Sequence, residues 1–195
     1  MNAQSPVLPI VFLKGKRLYL RPILEQDLDN LVVWINDPDV RQFVAAYLPQ
    51  SPQDEKLWLE NLGKKKDTDL TFGIALEKDN SLIGNIGLHR ITHRNGTAVM
   101  GFMIGRKELW GKGYGSEALM VLLDYAFGVL NLRKVSSSVF DFNERSLKCQ
   151  QKCGFQTEGR LKAERYVNYA WADEILLAVF REDFLPLWEN FKKDQ

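Results

Sequence analysis

The amino-acid sequence predicts one domain of mixed α/β (α+β) class, and three observations carry the prediction. Apolar residues recur at helical spacing in some stretches and alternate in others, giving the order β-α-α-β-β-β-α-β-α-β-β. Asn95-Gly96 is a tight-turn pair between two alternating stretches, which makes those two strands antiparallel. No internal repeat and no long linker divides the 195 residues, a length near the roughly 150 of one domain. The expected organisation is an N-terminal tail over 1–13 and a single domain over 14–195.

Pro6 and Pro9 break any regular element in the tail. Leu18 and Leu20 alternate with polar or amphipathic neighbours over Arg17–Arg21, a short strand. Leu28, Leu31, Val32 and Ile35 fall on one helix face, and Pro38 ends that helix. Ser51-Pro52-Gln53-Asp54 supplies an N-cap, a proline at the first helical position and an acid at the third. The helix it starts carries Leu57, Trp58 and Leu62 and stops near Gly63, with Lys64-Lys65-Lys66 as a solvated end.

Phe72, Ile74 and Leu76 alternate, Asp79-Asn80 turns the chain, and Leu82–Leu88 returns as a strand. Thr97–Gly105 follows from the Asn95-Gly96 turn. A glycine-rich loop then leads into an apolar helix from about Ser116 to Phe127, closed by Gly128. Lys134–Phe140 is the next strand, and Asn143 caps a helix to about Lys152. Phe155 opens an extended segment, and Ile175–Phe180 is apolar on both faces, as a central strand is. An amphipathic stretch over Glu182–Phe191 completes the chain.

Composition excludes several functions. The 26 basic and 25 acidic side chains leave a formal charge of +1, so no electrostatic footprint for nucleic acid or an anionic membrane is expected. Val7–Leu13 and Ile175–Phe180 are far shorter than the ~18 to 20 apolar residues that span a bilayer. No basic residue precedes Val7–Leu13 and no small-residue cleavage site follows it, so no secretory signal is expected. Cys149 and Cys153, the only two cysteines, make no disulfide framework and suit a reducing compartment; a cytoplasmic location is expected.

The sharpest chemical signal is Trp110-Gly111-Lys112-Gly113-Tyr114-Gly115-Ser116-Glu117-Ala118, between a strand and an apolar helix. Alternating glycines let backbone N–H groups converge, the helix start adds positive dipole, and Lys112 adds a charge. On its own residues the loop is either a phosphate cradle or a plain glycine turn with Lys112 in solvent. A Walker loop is excluded, because Lys112 is followed by Gly113 and position 106 is Arg106. A Rossmann fingerprint is excluded by the Gly-x-Gly-x-Gly spacing and by a preceding strand that comes from a hairpin.

Trp110–Ala118 resembles the acyl-CoA pyrophosphate loop of the GNAT N-acetyltransferase superfamily, Gln/Arg-x-x-Gly-x-Gly/Ala, with Gly113 and Gly115 matching and Trp110 in the first position. The resemblance continues through Leu20-Arg21-Pro22, Asp27, Trp34, Asn143-x-x-Ser146, Cys153-Gly154-Phe155, Glu158-Gly159 and Asp173, over about residues 15 to 181. It is similar to the branch of Rim-type ribosomal-protein and polyamine acetyltransferases. The resemblance implies a mixed, mostly antiparallel central sheet, flanked by helices and splayed between Thr97–Gly105 and Lys134–Phe140. It also implies an acetyl-CoA-dependent N-acetyltransferase that needs no metal, with direct attack of a primary amine in a ternary complex. The pyrophosphate would lie on Gly111, Lys112, Gly113, Tyr114, Gly115 and Ser116, and pantetheine along Met103 and Ile104. Asn143 would contact the cofactor arm, and Ser146 would approach the thioester sulfur.

The pattern also departs from the family. Gln150 stands where many relatives place a tyrosine acid, and Val99 and Ser138 stand where a glutamate is frequent. The Rim-type resemblance implies Ser146 and Glu164 as the catalytic candidates, Ser146 as a proton relay and Glu164 as the acid near substrate. Their bland alternatives are a first-turn helix residue and an exposed strand charge. Trp34, His89 and Ser138 are the substrate-side candidates. His89 and His93 are not spaced to share a face on a strand, so no metal is expected.

The serine run Ser136-Ser137-Ser138 either lines a cleft or forms a half-solvated strand face. Trp34, Phe43, Tyr47, Trp58 and Tyr169 could line an acceptor site or belong to the core. The acidic groups Glu25/Asp27/Asp29 and Asp37/Asp39 could receive a polyamine or cap helices. A small-molecule or peptide amine is the expected partner, a homodimer is compatible, and a catalytically impaired CoA-binding module is the alternative.

Overall fold

The computed structural model describes residues 9–44 and 46–193; Pro6 and the rest of residues 1–8 of the expected tail lie outside them. Eight strands form one sheet in the order β1-β2-β3-β4-β5-β6-β8-β7. They are β1 (Leu13–Lys14), β2 (Leu18–Arg21), β3 (Leu70–Leu76), β4 (Leu82–Thr92), β5 (Thr97–Ile104), β6 (Lys134–Phe140), β7 (Gln156–Val167) and β8 (Ala170–Phe180). Every neighbouring pair is antiparallel except β5 and β6. The tail boundary moves: Leu13 already pairs with Leu20, and the Phe12 ring stacks on Phe72 at 5.5 Å.

The helices are α1 (Leu28–Asn36), α2 (Pro38–Arg41), α3 (Pro52–Leu62), α4 (Tyr114–Asp124), α5 (Glu144–Lys152) and α6 (Arg181–Lys193). Pro38 ends α1 as expected and also starts α2, because a proline at the first helical position lacks only an N–H that would go unpaired. Asp37 caps that turn, its carboxylate accepting from the Asp39 N–H at 2.9 Å. Ser51 and Asp54 form a reciprocal capping box at the start of α3.

Strand alternation places the core on both faces of the sheet. On one side Ala98 and Met100 of β5 meet Leu119, Leu122 and Leu123 of α4. On the other, Met103 meets Leu31, Trp34 and Val40 from α1 and α2. Helix α4 begins earlier than the sequence suggests, at Tyr114, and continues into a wider π turn over Tyr125–Val129. Gly128 lies inside that turn, and the left-handed residue after it is Asn131 at φ 54°. Burial of Ala126 and Phe127 keeps the chain helical where the glycine alone signals a stop.

The feature that positions the site is the β5–β6 pairing. It runs from Thr97↔Lys134 through Val99↔Ser136 and goes no further, although β5 extends to Ile104 and β6 to Phe140. Beyond Val99 the two strands diverge and the sheet opens.

Candidate active site

A cavity of about 1100 Å³ occupies the opening, lined by β5 and β6, the glycine-rich loop, α5 and the helices before β3. Trp110, Gly111, Gly113, Tyr114, Gly115 and Ser116 all line it. Gly111 and Gly113 adopt φ +75° and +84°, backbone that L side chains rarely take. An added Cβ at Gly111 would meet nothing within 4 Å, so the concavity there is open space. The loop ends at the start of α4, an eleven-residue helix whose first N–H groups face an anion favourably.

Lys112 does not line the cavity; the loop uses its carbonyl, which accepts from Arg17 Nη1 at 3.1 Å. Arg17 was not among the sequence-derived site residues, yet it organises the loop from beneath. Its guanidinium lies 4.4 Å from the Tyr114 ring centroid and donates through Nε to Glu117 Oε2 at 2.8 Å. Glu117 Oε1 also accepts from the backbone N–H groups of Lys16 and Arg17, at 2.8 and 2.6 Å. This acid on a buried helix is the signal that could have found the arrangement; its partner lies 100 residues away.

The ladder with β4 sorts the β5 backbone. The Gly105 N–H donates to Ile83 at 2.9 Å, and alternation along the register then turns the Met103 N–H and C=O to Asn85 of β4. Phe102 and Ile104 turn theirs toward the opening. Met103 thus contributes its side chain to the apolar layer, and the strand backbone that faces the opening is that of Phe102 and Ile104, not of Met103 as the resemblance implies. The Ile104 carbonyl accepts from the Trp110 indole N–H at 2.6 Å, which fixes the loop against the strand. The Arg145 guanidinium covers the other side of that indole, 3.8 Å from the ring.

On α5, Asn143 Oδ1 accepts from the Ser146 N–H at 3.2 Å, so this nearly buried side chain is the N-cap as well as cavity wall. Gln150 Nε2 donates to Ser146 Oγ at 3.1 Å, which leaves the Ser146 hydroxyl proton free for another acceptor. Gln150 is 2% exposed, and its Oε1 has no hydrogen-bond partner among the described residues. Cys149 touches Ser116 Oγ at 3.3 Å, and burial pushes both thiols up, Cys153 more strongly. They are packing residues in this setting.

The opposite wall holds two polar groups. His89 faces the cavity near Gly87 and Gly101, with Nδ1 3.3 Å from Asp69 Oδ1. His93 turns away, to the Asp67 carbonyl at 3.1 Å. Ser138 of β6 donates to Glu174 Oε1, and Arg165 Nε donates to Glu174 Oε2 at 3.0 Å; all three side chains line the cavity. Burial raises the Glu174 carboxyl, but the Ser138 and Arg165 hydrogen bonds outweigh it and hold the group below the usual glutamate range.

Two further candidates, Glu164 and Trp34, also lie elsewhere than expected. Glu164 is exposed and outside the cavity, because β7 leaves its ladder between Leu161 and Arg165. Asp173 supports that bulge by accepting from the Ala163 N–H at 2.7 Å and from Arg160. The strand acid that reaches the cleft is Glu174, a charge just before the apolar run of β8. Trp34 shares the Leu31 face of α1 and packs in the core over Gly105, where an added Cβ would lie 2.0 Å from its indole. Ile35, Phe43 and Trp58 line the cleft instead. Tyr47 and Tyr169 are 84% and 94% exposed and lie outside the cavity.

The acetyltransferase (GNAT) domain family matches residues 17–156. The SPbeta prophage-derived uncharacterized N-acetyltransferase YokL of Bacillus subtilis (strain 168) is 29% identical over 179 residues, 90% of this chain and 96% of its own. Spermidine N(1)-acetyltransferase of Escherichia coli (strain K12) is 29% identical over 167 residues, 85% of this chain and 87% of its own. In three dimensions, spermidine N-acetyltransferase from Vibrio cholerae in complex with CoA and spermine superposes with TM-score 0.78. That match covers 87% of this chain and 98% of the other at 24% identity, a likeness of fold.

Proposed function

The chain belongs to the GNAT acetyltransferase family, and from that premise we propose that it transfers an acetyl group from acetyl-CoA to a primary amine, both held in the cleft together. The observation that carries this reading is the divergence of β5 from β6 beyond Val99, with a glycine-rich loop and helix start at its mouth. The open concavity at Gly111 and the left-handed glycines fit a pyrophosphate. Gly111, Gly113, Gly115 and Ser116 would hold it through backbone N–H groups, and the outward backbone of Phe102 and Ile104 would pair with the pantetheine arm.

When bound, acetyl-CoA supplies an activated thioester that a neutral amine attacks directly. An alkylamine with a pKa of about 10 is almost wholly protonated at neutral pH, so a proton acceptor is needed. His89, oriented through Nδ1 by Asp69, presents its other nitrogen for that task. Ser146, with its oxygen held by Gln150 and its proton free, relays a proton from water to the leaving sulfur. Two proton-handling groups on opposite walls favour an enzyme over a CoA-binding module. Both cysteines are free thiols, in keeping with a reducing, cytoplasmic setting.

The test is acetyl-CoA-dependent release of CoA thiol across a panel of primary amines, with product mass confirming N-acetylation. Ser146→Ala should lower kcat and leave the acetyl-CoA Kd in place. Tight CoA binding without turnover on any amine would replace this reading with the binding module.

A further inference from the structure

We infer that the acceptor is a monoamine carried on an aromatic or aliphatic body, its single ammonium received at Glu174, and that polyamines are poor acceptors. The inference rests on the N-acetyltransferase reading and specifies its second substrate. It comes from the charge and polarity of the cavity wall.

Two carboxylates line the cavity, Glu144 and Glu174, against four permanent cations, Arg145, Lys148, Lys152 and Arg165. Glu144 is paired to Lys148 at 2.9 Å on α5, the helix whose cap and first turn face the loop. Glu174 is the carboxylate on the acceptor side. It already accepts from Ser138 and Arg165, and a carboxylate offers about four acceptor positions, so about two remain, enough for one ammonium group and not for a chain of them. His89 and its partner Asp69 are the remaining titratable pair at this wall.

The acidic groups that could have received a polycation lie outside the cavity, and four of them are paired elsewhere. Asp27 forms a buried pair with Arg21 at 2.6 Å, and Asp37 and Asp39 both bind Lys107, at 2.8 and 2.7 Å. Glu25 lies 3.7 Å from Lys56, and none of these acids lines the cavity. The wall that the acceptor's body would meet is apolar: Ile35, Val40, Phe43, Val44 and Trp58. Desolvating a second or third ammonium against those side chains would cost free energy that no carboxylate in that wall returns, and the Phe43 and Trp58 rings return only part of it. An aromatic or aliphatic body would instead gain by displacing water from them.

The experiment compares kcat/KM for phenethylamine and tryptamine with that for spermidine and spermine, at saturating acetyl-CoA. The expected result is a preference for the arylalkylamines of about tenfold or more, the worth of one unmet charge-assisted contact. Glu174→Gln should raise the amine KM by about tenfold without moving the acetyl-CoA Kd. Val44→Glu, which puts a carboxylate on the apolar wall, should lower the spermidine KM and raise that of tryptamine. Equal or better use of spermidine by the wild type overturns the inference, as does failure to acetylate either arylalkylamine. Calorimetric titration with acetyl-CoA reports separately on the parent reading, because absence of binding would remove the acetyltransferase assignment itself.

Discussion

Three donors converge on Glu117, and their origin explains why the glycine-rich loop holds its shape. Two are backbone N–H groups of the β1–β2 turn and one is the Arg17 side chain, which also grips the Lys112 carbonyl and lies against Tyr114. Glu117 is 4% exposed, so removing its carboxylate leaves three part-buried donors without their acceptor. Glu117→Ala is predicted to destabilise the fold by about 3 kcal/mol, read as a shift in urea midpoint at unchanged slope. A loss within about 0.5 kcal/mol, the size of an ordinary surface change, would mean the carboxylate does not anchor the turn. At this scale the sequence is informative about kind and silent about partner. An acid on an apolar helix is visible as an exception; that it meets Arg17 is a product of the sheet. Glu164 and Glu174 make the same point, since both are strand acids and only the bulge beside Asp173 decides which reaches the cleft.

At the scale of elements, the loop and α4 act as one unit whose geometry depends on Gly113. Its φ of +84° is strained for any side chain, and a Cβ there would stand 3.3 Å from the Arg17 guanidinium. Gly113→Val is therefore predicted to cost about 1–3 kcal/mol of stability and to abolish measurable CoA binding in a protein that still folds. Calorimetric titration alongside circular dichroism checks both parts, and wild-type CoA affinity in the folded variant would detach the loop from cofactor binding. Element existence was legible wherever a local signal fixed it. Asn95-Gly96 announced the β4–β5 hairpin, Ser51–Asp54 the start of α3, and Asn143 the cap of α5. The extension of α4 into a π turn and the bulges of the β7–β8 hairpin were not legible, because tertiary burial and cross-strand hydrogen bonds set them. The family resemblance points to Met103 and Ile104 at the opening, whereas the alternation of ladder bonds turns the backbone of Phe102 and Ile104 toward it.

Over the whole molecule, two apolar layers clasp a sheet that is continuous at one end of the β5–β6 pair and open at the other. This places the glycine-rich loop, the Ser146–Gln150 pair and the His89 and Glu174 side chains around one cavity. Thermal unfolding with acetyl-CoA, CoA, ATP or NAD present tests that arrangement most directly. A ligand at about 100 times its Kd stabilises by ~2.7 kcal/mol, which is roughly 5 to 11 °C for a chain of this size. The prediction is a rise of that size with both CoA compounds and none with ATP or NAD. A rise with ATP or NAD alone, or no rise with either CoA compound, would contradict it.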